Sequence, residues 1–74
     1  MDIEIVTSRA SVYAEQFSYE GDPMGGLTFA RGAVFELDRS ESPKLVVWHR
    51  ESGCQVIYRS EAELDRYWEH KLPD

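Results

Sequence analysis

The chain has 74 residues, with 14 Asp and Glu against 8 Lys and Arg, a formal net charge of −6, and 42% hydrophobic and 12% aromatic content. That composition fits one small domain over 1–74 and excludes a disordered chain and a helical membrane span, for which no run nears the ~20 apolar residues required. The acidic balance excludes a generic DNA- or RNA-binding surface, because nucleic acid is held by cations that displace counterions.

A domain this short buries only ~60% of its unfolded surface, so the core must be well packed or association must supplement it. Cys54 is the single cysteine, which excludes an internal disulfide and fits a reducing, cytoplasmic setting. The opening Met1-Asp2-Ile3-Glu4-Ile5 lacks the basic-then-apolar pattern of a signal peptide.

In chain order, Ile3 and Ile5 alternate with Asp2 and Glu4, the pattern of a half-buried first strand. Residues 9–20 read as a helix with Ala10, Tyr13, Ala14 and Phe17 on one face and Ser8 as cap. The alternative is a strand with Tyr13, Phe17 and Tyr19 on one face and Glu15 spoiling it. Arg9 in the first turn counts against the helix. Gly21-Asp22-Pro23-Met24-Gly25-Gly26 reads as a loop, with Met24 near a contact surface. It lacks the Lys and Ser/Thr of a phosphate-binding loop. Residues 27–37 alternate, with Leu27, Phe29, Ala33, Phe35 and Leu37 on one face, as one long strand or two strands broken at Gly32.

Residues 44–50 and 54–59 read as a hairpin around Glu51-Ser52-Gly53. A two-residue turn sets Trp48 opposite Ile57, and a three-residue loop sets it opposite Val56. Ser60-Glu61-Ala62-Glu63 is a capping box that opens a C-terminal helix. Leu64, Tyr67 and Trp68 form its apolar stripe, His70 and Lys71 complement its negative end, and Pro73 follows. The expected fold is α+β: an antiparallel sheet of about four strands with the C-terminal helix packed on one face, and a second helix near residues 9–20.

No catalytic motif is present. Cys54 and His49 are residue types of a nucleophile and a base, but they flank a predicted tight turn with no orienting group or oxyanion donors. His49, Cys54 and His70 lack the spacing of metal ligands. Neither a cofactor nor a metal is expected.

Charge carries more information. Residues 1–38 hold seven acids and two bases, a net of −5, and residues 39–74 hold seven acids and six bases, a net of −1. If the first strand and the long strand are neighbours, Asp2, Glu4, Glu36 and Asp38 project from one solvent face, with Glu20 and Asp22 in the loop between. Like charges side by side cost stability unless something positive binds them. Tyr67 and Trp68 point about 100° apart on a helix, which makes one of them a candidate interface anchor.

The ending Tyr58-Arg59-Ser60-Glu61-Ala62-Glu63-Leu64-Asp65-Arg66-Tyr67-Trp68, in a very short acidic chain without a catalytic motif, resembles small phage-encoded inhibitors of bacterial defence, anti-CRISPR proteins among them. The resemblance transfers no functional residue. It implies a stoichiometric inhibitor that docks on a positively charged nucleic-acid channel or a catalytic subunit.

The expected function is therefore a non-enzymatic, cytoplasmic, DNA-mimicking binding protein whose acidic face docks on a basic surface of a larger protein. Its expected contact residues are Asp2, Glu4, Glu20, Asp22, Glu36, Asp38, Tyr67 and Trp68. Direct nucleic-acid or membrane contact is not expected. The alternatives are a small homo-oligomeric structural or accessory protein, such as a homodimer, and a small Cys/His enzyme.

Overall fold

The computed structural model describes residues 3–70. Asp2, Lys71 and Pro73 lie outside the described residues. Seven strands form one antiparallel sheet: β1 (Glu4–Ser8), β2 (Val12–Phe17), β3 (Pro23–Phe29), β4 (Val34–Asp38), β5 (Leu45–Trp48), β6 (Cys54–Tyr58) and β7 (Trp68–Glu69). A single helix, α1 (Glu61–Tyr67), precedes β7. The strand order is β3-β2-β6-β5-β4-β1-β7. The expected four-stranded α+β fold is thus corrected to a mainly β fold.

The supposed helix over 9–20 is β2. Val12 and Ala14 are buried while Tyr13 and Glu15 are exposed, a period of two that no helix produces. Sequence reasoning assigned the large rings to the core, whereas the small residues take it and the rings face outward. The supposed loop 21–26 is corrected as well. The turn is Ser18–Asp22, closed by Ser18 N–H donating to the Asp22 carbonyl at 2.8 Å, and Pro23 already belongs to β3. In β3, Met24 and Gly25 together oppose Gln16, a bulge that Gly25 accommodates with φ +92°. The break at Gly32 is real: φ +90° there turns β3 into β4.

Each hairpin register was also different from expectation. Trp48 pairs with Gln55, because His49 N–H donates to the Cys54 carbonyl and Gly53 N–H returns to the His49 carbonyl, each at 2.8 Å. The loop is therefore the four residues Arg50–Gly53, held by His49 Nδ1 against Ser52 Oγ at 2.8 Å.

The sheet curls around its inner face. Phe29 on β3 meets Phe35 on β4 with ring centroids 4.9 Å apart, although β2, β6 and β5 lie between those strands. At ~4.8 Å per strand, a flat sheet would hold them about 19 Å apart. Ser8 fixes the closure: its Oγ donates to the Ala30 carbonyl at 3.3 Å and accepts from Ala33 N–H at 3.0 Å. Val6, Val12, Ala14, Phe35, Leu37, Val47, Cys54 and Tyr58 fill the interior with Leu64 of α1.

Trp68 is the largest residue in that interior and has no exposed surface. It is not on the helix, as its spacing from Leu64 implied, but is the C-cap, with extended backbone that pairs it to Ser8 in β7. The helix starts as its capping box predicts, with Ser60 Oγ accepting from Glu63 N–H at 3.2 Å. Its C-terminal end is met by Arg9, while His70 turns to the carboxylates of Asp65 and Glu4. Arg9 N–H donates to the Tyr67 carbonyl and Arg9 Nε to the Asp65 carbonyl, each at 2.8 Å.

Candidate functional site

Among the described residues, Glu4 does not join Glu36 and Asp38 on the expected acidic face. β1 and β4 are neighbours, but the register pairs Glu4 with Leu37 and Ile5 with Glu36. Directly paired residues share a face, so Glu4 and Glu36 point to opposite sides of the sheet. Each is also engaged by a cation of the chain. Glu36 accepts from Arg50 Nε and Nη2 at 3.1 and 3.0 Å. Glu4 accepts from Arg39 Nε at 2.6 Å and faces His70 Nδ1 at 3.3 Å. Asp38 accepts from Ser40 N–H at 2.8 Å, and that hydrogen bond holds its carboxyl below the ordinary value. Glu20 and Asp22 remain exposed in the β2–β3 turn. Of the two aromatic candidates, Trp68 is enclosed and unavailable as an anchor, and Tyr67 is partly exposed but stacked on Tyr58 at 6.2 Å.

Glu4, Arg39, Glu61, Asp65 and His70 form a clasp joining β1, the turn after β4, α1 and the end of β7. Arg39 also bonds Glu61, and His70 Nε2 lies 2.6 Å from Asp65. Both ring nitrogens of His70 face carboxylates, so the imidazolium fits the site. The bond to Asp65 chiefly, then that to Glu4, raises the His70 pKa above 6.5. The Arg39 guanidinium beside Glu4 lowers that carboxyl below 4.5. The His70 contribution is complete below its unfolded value and is lost as pH rises through the raised folded value. The Glu4 contribution is complete above its unfolded value and is lost as pH falls through the lowered one. For exposed pairs of ~0.5 kcal/mol, melting of the parent should fall by about 2–4 °C relative to a His70→Gln variant between about pH 6 and pH 9. Parallel melting curves across that range would show that the clasp contributes nothing. The ligand atoms of Glu61, Asp65 and His70 lie within 4.8 Å of one another, but Arg39 already serves Glu61, so the group reads as an ion-pair network.

His49 and Cys54 face each other across the β5–β6 hairpin, but His49 Nδ1 is engaged by Ser52 Oγ at 2.8 Å and the thiol is closed off from solvent. Cys54 is fully buried in the core, and the His49 ring packs against Phe29 and Phe35 at 4.9 and 5.2 Å. His49, Cys54 and His70 do not form a three-ligand group among the described residues.

What the structure brings together is an apolar outer face, of which the strand alternative for residues 9–20 had grouped Tyr13, Glu15 and Phe17 but not Ile57, Val34 or Ile3. Tyr13, Phe17, Ile57, Val34 and Ile3 each expose more than a third of their surface. Tyr13, Glu15 and Phe17 of β2 and Gln55 and Ile57 of β6 line an open groove of about 230 Å³. Gly26 sets one wall: a Cβ there would lie 2.8 Å from Cζ and Oη of Tyr13, so the Tyr13 ring lies across a position that only glycine leaves open. Next to Glu15 in β2, Gln16 ties the strand to the β5–β6 loop, its Nε2 donating to the Ser52 carbonyl at 2.8 Å. The available signal was the aromatic-acid-aromatic spacing of Tyr13, Glu15 and Phe17, which places all three on one strand face.

No helix among the described residues is long and apolar enough to cross a membrane. Comparison with protein-family models, curated proteins and solved structures finds no match.

Proposed function

We propose that this chain is a non-enzymatic binding protein that docks on a larger protein through the outer face of its sheet. The observation that carries the reading is the exposed groove of Tyr13, Phe17 and Ile57 on a face that neither α1 nor another strand covers. Aromatic side chains with a polar margin are the usual composition of a docking centre. Glu15 in the groove, whose carboxylate has no partner among the described residues, retains the basic-partner expectation but moves it from the β1–β4 face to the β2–β6 face. A basic nucleic-acid-binding surface, as the resemblance to phage inhibitors implies, has the matching charge.

A Tyr13→Ser/Ile57→Ser variant tests this. Both side chains are exposed, so folding should be retained. Partner capture, quantified by crosslinking and mass spectrometry, should fall at least about tenfold relative to the parent and to a Tyr67→Ser control. Equal recovery of the same proteins by parent and variant would refute the reading.

A further inference from the structure

We propose that the groove between Tyr13 and Phe17 is a receptor for an arginine side chain carried on an extended segment of the partner protein. This rests on the docking face described above and specifies what that face recognises.

The molecule contains a filled version of the same arrangement. On the outer face of β4 and β5, Glu36 and Trp48 are directly paired. Arg50 donates twice to the Glu36 carboxylate, and its guanidinium carbon lies 5.2 Å from the centroid of the Trp48 ring. A planar cation is held there by a carboxylate at its edge and an aromatic ring at its face. The β2 groove repeats the recognition elements on the same outer face of the sheet. Glu15 supplies the carboxylate, Tyr13 and Phe17 the rings, and Gln55, its ladder partner, a further polar group. The Glu15 side chain is exposed, and its carboxylate makes no ion pair or hydrogen bond with the described residues. The guanidinium is the missing component.

The occupant follows from charge and shape. Covering the groove with an apolar segment would desolvate Glu15 without a partner, which is unfavourable. A second copy of the chain brings another net charge of −6 toward a groove that already carries Glu15. An arginine flanked by apolar residues satisfies the carboxylate, stacks on the rings and covers Ile57. Arginine is preferred to lysine because its plane serves both the carboxylate and the rings.

The test uses the full chain labelled with nitrogen-15 and the probe peptide acetyl-Ser-Leu-Arg-Leu-Ser-amide. Titration should shift the amides of Tyr13, Glu15, Phe17, Gln55 and Ile57 saturably. The same peptide with citrulline in place of arginine, which keeps the shape and loses the charge, should bind at least about tenfold more weakly. Glu15→Gln should reduce affinity for the arginine peptide by a similar factor, and Tyr13→Leu by about threefold or more. Equal binding of the two peptides, unchanged affinity in Glu15→Gln, or shifts centred elsewhere would overturn the proposal. So would peptide-independent, concentration-dependent shifts at the groove, which would assign it to a second copy. A partner captured through Tyr13 and Ile57 whose binding survives Glu15→Gln would leave the docking face standing and remove the arginine receptor.

Discussion

Trp68→Ala is expected to lose about 3–5 kcal/mol of stability, the usual cost of truncating a fully buried large aromatic. A domain of this length has only about 4–11 kcal/mol in total, so the variant should lose from about a quarter to all of its stability. The indole has no exposed surface and packs 4.8 Å from the Phe35 ring. Its Nε1–H donates to the Tyr58 hydroxyl at 2.9 Å, inside the same core. Burial holds that hydroxyl above its ordinary pKa of 10.0, so it stays neutral and accepts the bond. Trp68→Phe separates the two contributions. It keeps a ring against Phe35 and deprives Tyr58 of its donor, which should cost about 1–3 kcal/mol. Denaturant unfolding of the three proteins provides the measurement. A Trp68→Ala midpoint close to that of the parent would mean that the indole does not hold the interior together.

The second large effect is expected at Gly26, and its sign is the test. Exchanging glycine for alanine at a compatible strand position commonly stabilises, because the unfolded chain loses freedom. At Gly26 the added methyl would overlap the Ala14 carbonyl oxygen and press on Cζ and Oη of Tyr13. The ring can swing away, but the carbonyl belongs to β2, so the strands must part. Gly26→Ala should therefore destabilise by about 2–3 kcal/mol, in the range of overpacked sites. A Gly26→Ala/Tyr13→Ala double variant removes the ring overlap and leaves the backbone one, so it should not recover the parent's stability. A stabilised Gly26→Ala chain would refute the close approach of β3 to β2 and with it the wall of the groove.

Local signals in the sequence survived where they depended on neighbouring residues alone. The Ser60 cap, the helix start at Glu61 and the turn at Gly32 are backbone features read over a few positions. The alternation of Phe35 and Leu37 into the core was legible for the same reason. Register was not. A one-residue change in pairing sends every side chain to the other face, and nothing within β1 or β4 specifies that Ile5 meets Glu36. The charge asymmetry was therefore counted correctly, but Glu4 was assigned to the face of Glu36 when the register puts it on the other.

β2 failed for a different reason. Val12 and Ala14 are small because the curled sheet leaves little space inside, and Tyr13 and Phe17 are large because they cover its outer side. Glu15 was read as a flaw in an inward apolar face. It belongs to the outward one, where it is the chemically informative residue. Trp68 lay at helical spacing from Leu64, and only the ladder with Ser8 shows that its backbone is extended. Arg9, which counted against a helix at 9–20, instead serves the carboxyl end of a helix more than fifty positions away.

The strand order gives the groove a mechanical position. β1 and β4 pair directly, so the β2–β3 hairpin is a flap inserted between them and folded to the far side of the sheet. It joins the body through the β2–β6 seam, where Glu15 pairs with Gln55 and Gln16 with Cys54. That ladder is two residue pairs long, and Val12, Ala14 and Phe29 add core contacts to it. The groove straddles that seam, with Tyr13, Glu15 and Phe17 on the flap and Gln55 and Ile57 on the body. A guest seated there bridges the join, so its binding energy adds to the stability of the β2–β6 pairing.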